Sequence, residues 1–186
     1  LSKIFVKIAF LDRDGVINKE VDHLYKISEF EYTYRCKDAL KLLMNDGFSI
    51  IIVTNQAGIG KGLFTEKDYD VLTNFYTADM RKDGIRVLEV LHCPHYEFSE
   101  IEQYRKKCFC RKPSPGMILA ATERYDIDLK SSILVGDKAS DVQAGQAAGI
   151  AKSYLVQSGH NLREDDFRKY EVFPNLYELA TNIVTG

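Results

Sequence analysis

Lys7-Ile8-Ala9-Phe10-Leu11-Asp12-Arg13-Asp14-Gly15-Val16-Ile17-Asn18 is an apolar run that stops at two carboxylates one residue apart and then at a glycine. Four consecutive apolar residues, Ile8 to Leu11, suit a strand buried on both faces, as in a parallel sheet. In such sheets ligands bind beyond the carboxyl ends of the strands, and Asp12 stands where strand character ends. Asp14 can point to the same side if the chain stays extended, and Gly15 lets the backbone turn at once. Paired acids at a strand tip suit a hard cation such as Mg²⁺. An aspartate there can also act as a nucleophile that takes a phosphoryl group. A strand ending in a polar turn is the plain alternative, and this stretch alone leaves both readings open.

The rest of the chain repeats this layout. Apolar runs at 48–53, 87–91, 131–135 and 153–156 predict four further strands, and helical patterns are expected at 35–45, 66–82, 117–125, 139–148 and 175–183. Alternating strands and helices predict an α/β domain around a central parallel sheet, a Rossmann-like three-layer sandwich. A chain of 186 residues fits one domain, 1–186. A net charge of −2 gives no electrostatic case for nucleic acid or an anionic membrane. No run reaches the ~20 apolar residues of a membrane span, and no secretory leader is visible. A cytoplasmic monomer is expected.

The strand tips carry the polar residues. Thr54-Asn55-Gln56 closes the second strand, and the loop Ala57-Gly58-Ile59-Gly60-Lys61-Gly62 offers backbone N–H groups and one cation, a candidate phosphate cradle. It lacks the Gly-Lys-Ser/Thr ending of a P-loop, so a nucleoside triphosphatase is not supported. Asp22, His23 and Tyr25 sit in a long loop between the first strand and the first helix. Thr65 with Asp68 reads as a capping box. Gly136-Asp137-Lys138 closes the fourth strand, with Asp141 one turn beyond.

Four cysteines occur. Cys36 stands alone and reads as a part-buried thiol. The others form Cys93-Pro94-His95 and, after twelve residues, Cys108-Phe109-Cys110. Three thiols and an imidazole match a tetrahedral structural Zn²⁺ site with no open position for catalysis. The polar segment between them lacks an apolar period, so a metal clip at about 92–111 would hold it. Arg111 and Lys112 follow, held between that clip and Pro113 and Pro115, a placement that suits anion binding. Ser114 is the expected cap of the next helix.

In their order, Asp-Arg-Asp-Gly (12–15), Thr-Asn-Gln (54–56), Arg-Lys-Pro (111–113) and Gly-Asp-Lys (136–138) resemble the phosphatases of the haloacid dehalogenase superfamily. The zinc pattern narrows the resemblance to the branch shared by heptose-bisphosphate phosphatases and histidinol-phosphatase domains. The basic glycine loop at 54–66 is similar to that of the heptose enzymes. The resemblance covers Lys7 to about Gly159; Leu24 departs from it, standing where many relatives have Gly.

That resemblance implies the haloacid dehalogenase fold without a large cap domain, and hydrolysis of the C7 phosphate of a heptose 1,7-bisphosphate. In Gram-negative bacteria this step supplies the heptose of lipopolysaccharide. Histidinol phosphate or another small sugar phosphate is the alternative substrate. It implies Asp12 as nucleophile, Asp14 as acid and base, and Thr54 and Lys112 as ligands of the transferring phosphoryl group. Mg²⁺ would be held by Asp12, the Asp14 carbonyl and Asp137, with Lys138 and Asp141 in support. Substrate contacts would come from Asp22, His23, Tyr25, Asn55, Gln56, Lys61 and Arg111.

Overall fold

The computed structural model describes residues 5–186; residues 1–4, where a leader would begin, lie outside them. In chain order the elements are β1 (Lys7–Leu11), α1 (Cys36–Asn45), β2 (Phe48–Asn55), α2 (Ala57–Gly60), α3 (Glu66–Lys82), β3 (Val87–Cys93) and α4 (Gly116–Arg124). They continue with β4 (Ile133–Gly136), α5 (Ala139–Ala148), β5 (Lys152–Val156), α6 (Glu164–Lys169), β6 (Glu171–Phe173) and α7 (Leu176–Thr185).

All strands pair in parallel, in the order β3-β2-β1-β4-β5-β6. The chain builds outward from β1 in one direction, then returns to its other side with β4. The gap between the tips of β1 and β4 is therefore the switch point at which such sheets bind ligands.

Alternation along each strand assigns the two faces. Ala9, Leu11, Ile50, Ile52, Ile133 and Val135 pack with Leu40 and Leu43 of α1, Leu72 and Tyr76 of α3 and Leu176 and Leu179 of α7. Ile8, Phe10, Ile51, Val53 and Leu134 pack with Met117, Ile118 and Ala121 of α4 and Ala144 of α5. Helices thus cover both faces, which is why the strands read as continuous apolar runs.

The expected elements form within a residue or two of their predicted bounds, and Thr65 and Asp68 make the capping box, with reciprocal bonds of 3.1 and 2.8 Å. Four details differ. The glycine loop after β2 is not an open cradle: Ala57–Gly60 closes a helical turn. Ser114 does not cap α4; Pro115 stands at the N-cap without a side-chain bond. Cys36 is fully buried, packed among Ala39, Leu40 and Leu43. The short α6 and β6 were not expected, because six and three residues of mostly polar sequence carry no readable period.

Candidate active site

A cleft of about 290 Å³ opens over the tips of β1, β2 and β4. Its walls include Asp12, Asp14, Asp22, His23, Asn55, Gln56, Lys61, Arg111, Lys112, Lys138 and Asp141, so residues singled out from across the sequence share one cavity.

At its floor, the Asp12 N–H continues the β1–β4 ladder by donating to the Val135 carbonyl at 2.9 Å. The ammonium of Lys112 is the centre of the charge arrangement. It lies 2.9 Å from Asp12 Oδ1 and 2.6 Å from Asp141 Oδ1, and donates to the Val53 carbonyl at 2.7 Å. Lys112 is nearly enclosed, 5% exposed. Burial opposes its charge, but Asp12 and Asp141 outweigh that and raise its pKa. Burial pushes Asp12 up to about 6 against the pull of Lys112, with Asp141 and Asp14 adding to the rise.

Asn55, expected to contact the ligand, lines the cleft and also holds Lys112. Its Oδ1 accepts from the Lys112 N–H and its Nδ2 donates to the Lys112 carbonyl, both at 3.1 Å, so it clamps the lysine's backbone to β2. Gln56 likewise faces inward: its Nε2 donates to Asp14 Oδ2 and to Thr54 Oγ1, both at 2.9 Å. Thr54 is buried beneath the cleft.

Asp14 is held by Arg13, a residue the sequence did not mark. The guanidinium is fully buried and donates from Nη2 to Asp14 Oδ1 at 2.7 Å and to Oδ2 at 2.9 Å. It also reaches the carbonyl of Leu24, which is itself buried in the core. Asn18 Nδ2 adds a bond to Asp14 Oδ1 at 3.0 Å. With Gln56, these donors fix the orientation of a carboxylate at the cleft wall.

The sugar-side residues separate into two groups. His23, in the left-handed region at φ 55, and Asp22 reach the cleft. Tyr25 does not line it; its ring stacks on Phe64 with centroids 5.3 Å apart. That pair presses on the α2 turn, where a Cβ on Gly58 would lie 2.3 Å from the Phe64 ring and 3.0 Å from His23 Nδ1. Only glycine leaves room for this approach. The Arg111 Nη1 is buried without a hydrogen-bond partner in the same wall.

Among the described residues three groups of side chains could hold a metal ion, two of which share Asp137. Cys93, His95, Cys108 and Cys110 bring four donor atoms together. The sulfurs lie 3.1 to 3.4 Å apart and His95 Nδ1 is 3.2 Å from the Cys110 sulfur. These separations are far beyond the ~2.05 Å of a disulfide, and the four donor atoms crowd around one point, as the ligands of a single tetrahedral ion do. Ser99, inside the loop, donates its hydroxyl to the Gly60 carbonyl and so joins the zinc loop to the α2 turn below Lys61.

The second group comprises Asp12, Asp137 and Asp141. Asp141 is already committed, with Oδ1 at Lys112 and Oδ2 accepting from the Lys138 N–H at 3.0 Å. Asp137 is fully buried, and its Oδ1 has no partner. Such an orphan beside a second carboxylate fits a divalent cation. Glu20 and His160 flank Asp137 and were not marked in the sequence. His160 follows β5, beside the tips of β1 and β4 that carry Asp12 and Asp137.

This fold and site define a hydrolase of the haloacid dehalogenase type, and a family model described as HAD-hydrolase-like matches residues 109–179. The chain is 54% identical over 159 residues to a D-glycero-alpha-D-manno-heptose-1,7-bisphosphate 7-phosphatase of Photorhabdus laumondii, covering 86% of this chain and 87% of that protein. It is 38% identical over 154 residues to a D-glycero-beta-D-manno-heptose-1,7-bisphosphate 7-phosphatase of Escherichia coli K12, covering 83% and 81%. A D,D-heptose 1,7-bisphosphate phosphatase from B. bronchiseptica, solved with magnesium and phosphate, superposes with a TM-score of 0.81 at 30% identity over 97% of this chain and 99% of that one. The chain belongs to the family of D-glycero-D-manno-heptose-1,7-bisphosphate 7-phosphatases. No helix among the described residues is long and apolar enough to cross a membrane.

Proposed function

We propose that this chain hydrolyses the C7 phosphate of D-glycero-α-D-manno-heptose 1,7-bisphosphate through a phosphoryl group carried on Asp12. The observation that supports the chemistry is the meeting of Asp12 and Lys112 at the sheet's switch point. The α anomer is favoured by the 54% identity to the Photorhabdus enzyme named for it, against 38% to enzymes named for the β anomer.

Asp12 attacks phosphorus in line with the departing sugar oxygen. Asp14 gives that oxygen a proton, then takes one from the water that cleaves the acyl phosphate. Lys112 and the Thr54 hydroxyl bind the equatorial phosphoryl oxygens, where charge accumulates. Asp12, the Asp14 carbonyl and Asp137 would hold Mg²⁺, which supplies charge compensation between carboxylate and phosphate. Arg111, with its unpartnered Nη1, and Lys61 offer charge to the phosphate that is retained, while Asp22 and His23 face the sugar. Cys93, His95, Cys108 and Cys110 would hold structural Zn²⁺, outside the reaction.

The test is phosphate release from both anomers of heptose 1,7-bisphosphate, fructose 1,6-bisphosphate and histidinol phosphate, with and without Mg²⁺. Preferred turnover of the α anomer, dependent on Mg²⁺, is expected. Preference for the β anomer would overturn the anomer assignment alone, and faster turnover of histidinol phosphate would overturn the substrate class.

A further inference from the structure

The segment after β5, Ser158-Gly159-His160, has no part in the reading above, yet it encloses one oxygen of Asp137. His160 reaches Asp137 Oδ2 twice, with its backbone N–H at 2.9 Å and its ring Nδ1 at 2.6 Å. The same ring nitrogen is 3.7 Å from Glu20 Oε2, beyond hydrogen-bond range, so its bond goes to Asp137. Ser158 Oγ donates to the Gly15 carbonyl at 2.7 Å and ties the segment to the loop that follows β1.

Two glycines make this enclosure possible. A Cβ on Gly159 would lie 2.1 Å from Asp137 Oδ2, and one on Gly15 would lie 2.4 Å from the same atom. Oδ2 is therefore wedged between two backbones and bonded twice, while Oδ1 of the same buried carboxylate has no partner. A carboxylate tied at one oxygen and bare at the other presents a single, pre-aimed ligand atom. Groups that orient a metal ligand in this way commonly set metal affinity as strongly as some ligands do.

We propose that Ser158-Gly159-His160 is the positioning element of the divalent-cation site, with His160 as the positioning residue that locks Asp137 so that Oδ1 faces the ion. This rests on the assignment of Asp137 as a cation ligand. Ser158 holds the element against Gly15, which keeps the loops after β1, β4 and β5 in one register around the ion. Loss of the imidazole removes the shorter of the two bonds to Oδ2 and leaves the backbone N–H alone to hold it, so the carboxylate is less firmly aimed and cation affinity falls while the charge is conserved.

The experiment titrates Mn²⁺, read by electron paramagnetic resonance, into zinc-loaded protein without substrate, and records the thermal midpoint of each variant in Mg²⁺-free buffer. His160→Ala is expected to weaken Mn²⁺ binding by about ten- to a hundredfold. His160→Asn, whose amide can donate from near the place of Nδ1, is expected to recover most of it, and Ser158→Ala to weaken binding by a smaller factor. Asp137→Asn is the control for the underlying assignment and is expected to abolish tight binding. If Asp137→Asn loses Mn²⁺ but His160→Ala binds as the wild type does, the positioning role is overturned and the ligand assignment stands. Equal loss in the Ala and Asn variants of His160 also overturns it. If Asp137→Asn binds normally, the ligand assignment itself fails.

Discussion

The ammonium of Lys112 sits 2.9 Å from Asp12 Oδ1: Asp12 stands at the tip of β1, and Lys112, in the loop before α4, is clamped to β2 through Asn55. Its second contact, 2.6 Å to Asp141 Oδ1, makes one buried cation the neutralising centre of two carboxylates. Removing one partner from a buried ion pair costs about 3–5 kcal/mol. Lys112→Met is expected to lose stability on that order at pH 8 and to regain part of it at pH 5, where the abandoned carboxylates can take protons. Urea unfolding at the two pH values checks this; an equal loss at both would count against the charge argument.

Asp12→Asn is expected to lower kcat by at least about a thousandfold, or ~4 kcal/mol of barrier, while zinc content is unchanged. Its stability relative to the wild type should change with pH in Mg²⁺-free buffer. Burial raises the Asp12 pKa from 3.8 to about 6, so the folded state binds more protons than the unfolded state between those values, and wild-type stability falls as pH rises through that window. The asparagine variant lacks this loss. Melting curves from pH 4 to pH 7 should therefore show the variant gaining on the wild type, and substantial phosphatase activity in it would remove Asp12 as nucleophile.

Chelation at the cysteine cluster provides a third test. The Cys36 thiol is buried and pushed up to about 12 by that burial, so it should resist alkylation in the folded protein. Zinc-loaded native protein is expected to resist iodoacetamide throughout. After zinc removal, Cys93, Cys108 and Cys110 should react while Cys36 stays protected, as peptide mass mapping would show. Cys108→Ser should lower both zinc content and the thermal midpoint, and should raise KM through the Ser99–Gly60 link to the turn that carries Lys61.

Gly58→Ala places a methyl group 2.3 Å from the Phe64 ring and 3.0 Å from His23 Nδ1. Overpacking of this kind costs about 1–3 kcal/mol. Because the displaced groups border the sugar side of the cleft and not Asp12, KM should rise more than kcat falls. Steady-state kinetics with the heptose bisphosphate separates the two, and a loss confined to kcat would contradict the placement of His23.

The layered α/β fold was legible because a strand buried on both faces must be apolar throughout, as at Ile8–Leu11 and Ile50–Val53, and its end is marked by the first polar residue. The same logic placed Asp12, Thr54 and Asp137 at one edge of the sheet. The zinc cluster was legible from donor chemistry and spacing, since Cys93, His95, Cys108 and Cys110 have few other reasons to recur in that pattern. Local signals of this sort survive in a linear string.

Only the tertiary structure decided which atoms meet. Asn55 and Gln56 read as ligand contacts and line the cleft, and the structure adds the bonds by which they hold Lys112 and Asp14. Arg13 carried no role in the sequence, and its burial makes it the clamp on Asp14. Tyr25 belongs to a ring stack outside the cleft, and His160 reaches Asp137 from a charged loop with no readable period. All but the Arg13 clamp, which joins neighbours in the chain, depend on where two distant backbones cross. A sequence states the capacity of a side chain to donate, accept or carry charge, whereas the partner that uses this capacity is chosen by strand order and by the direction in which each loop leaves the sheet.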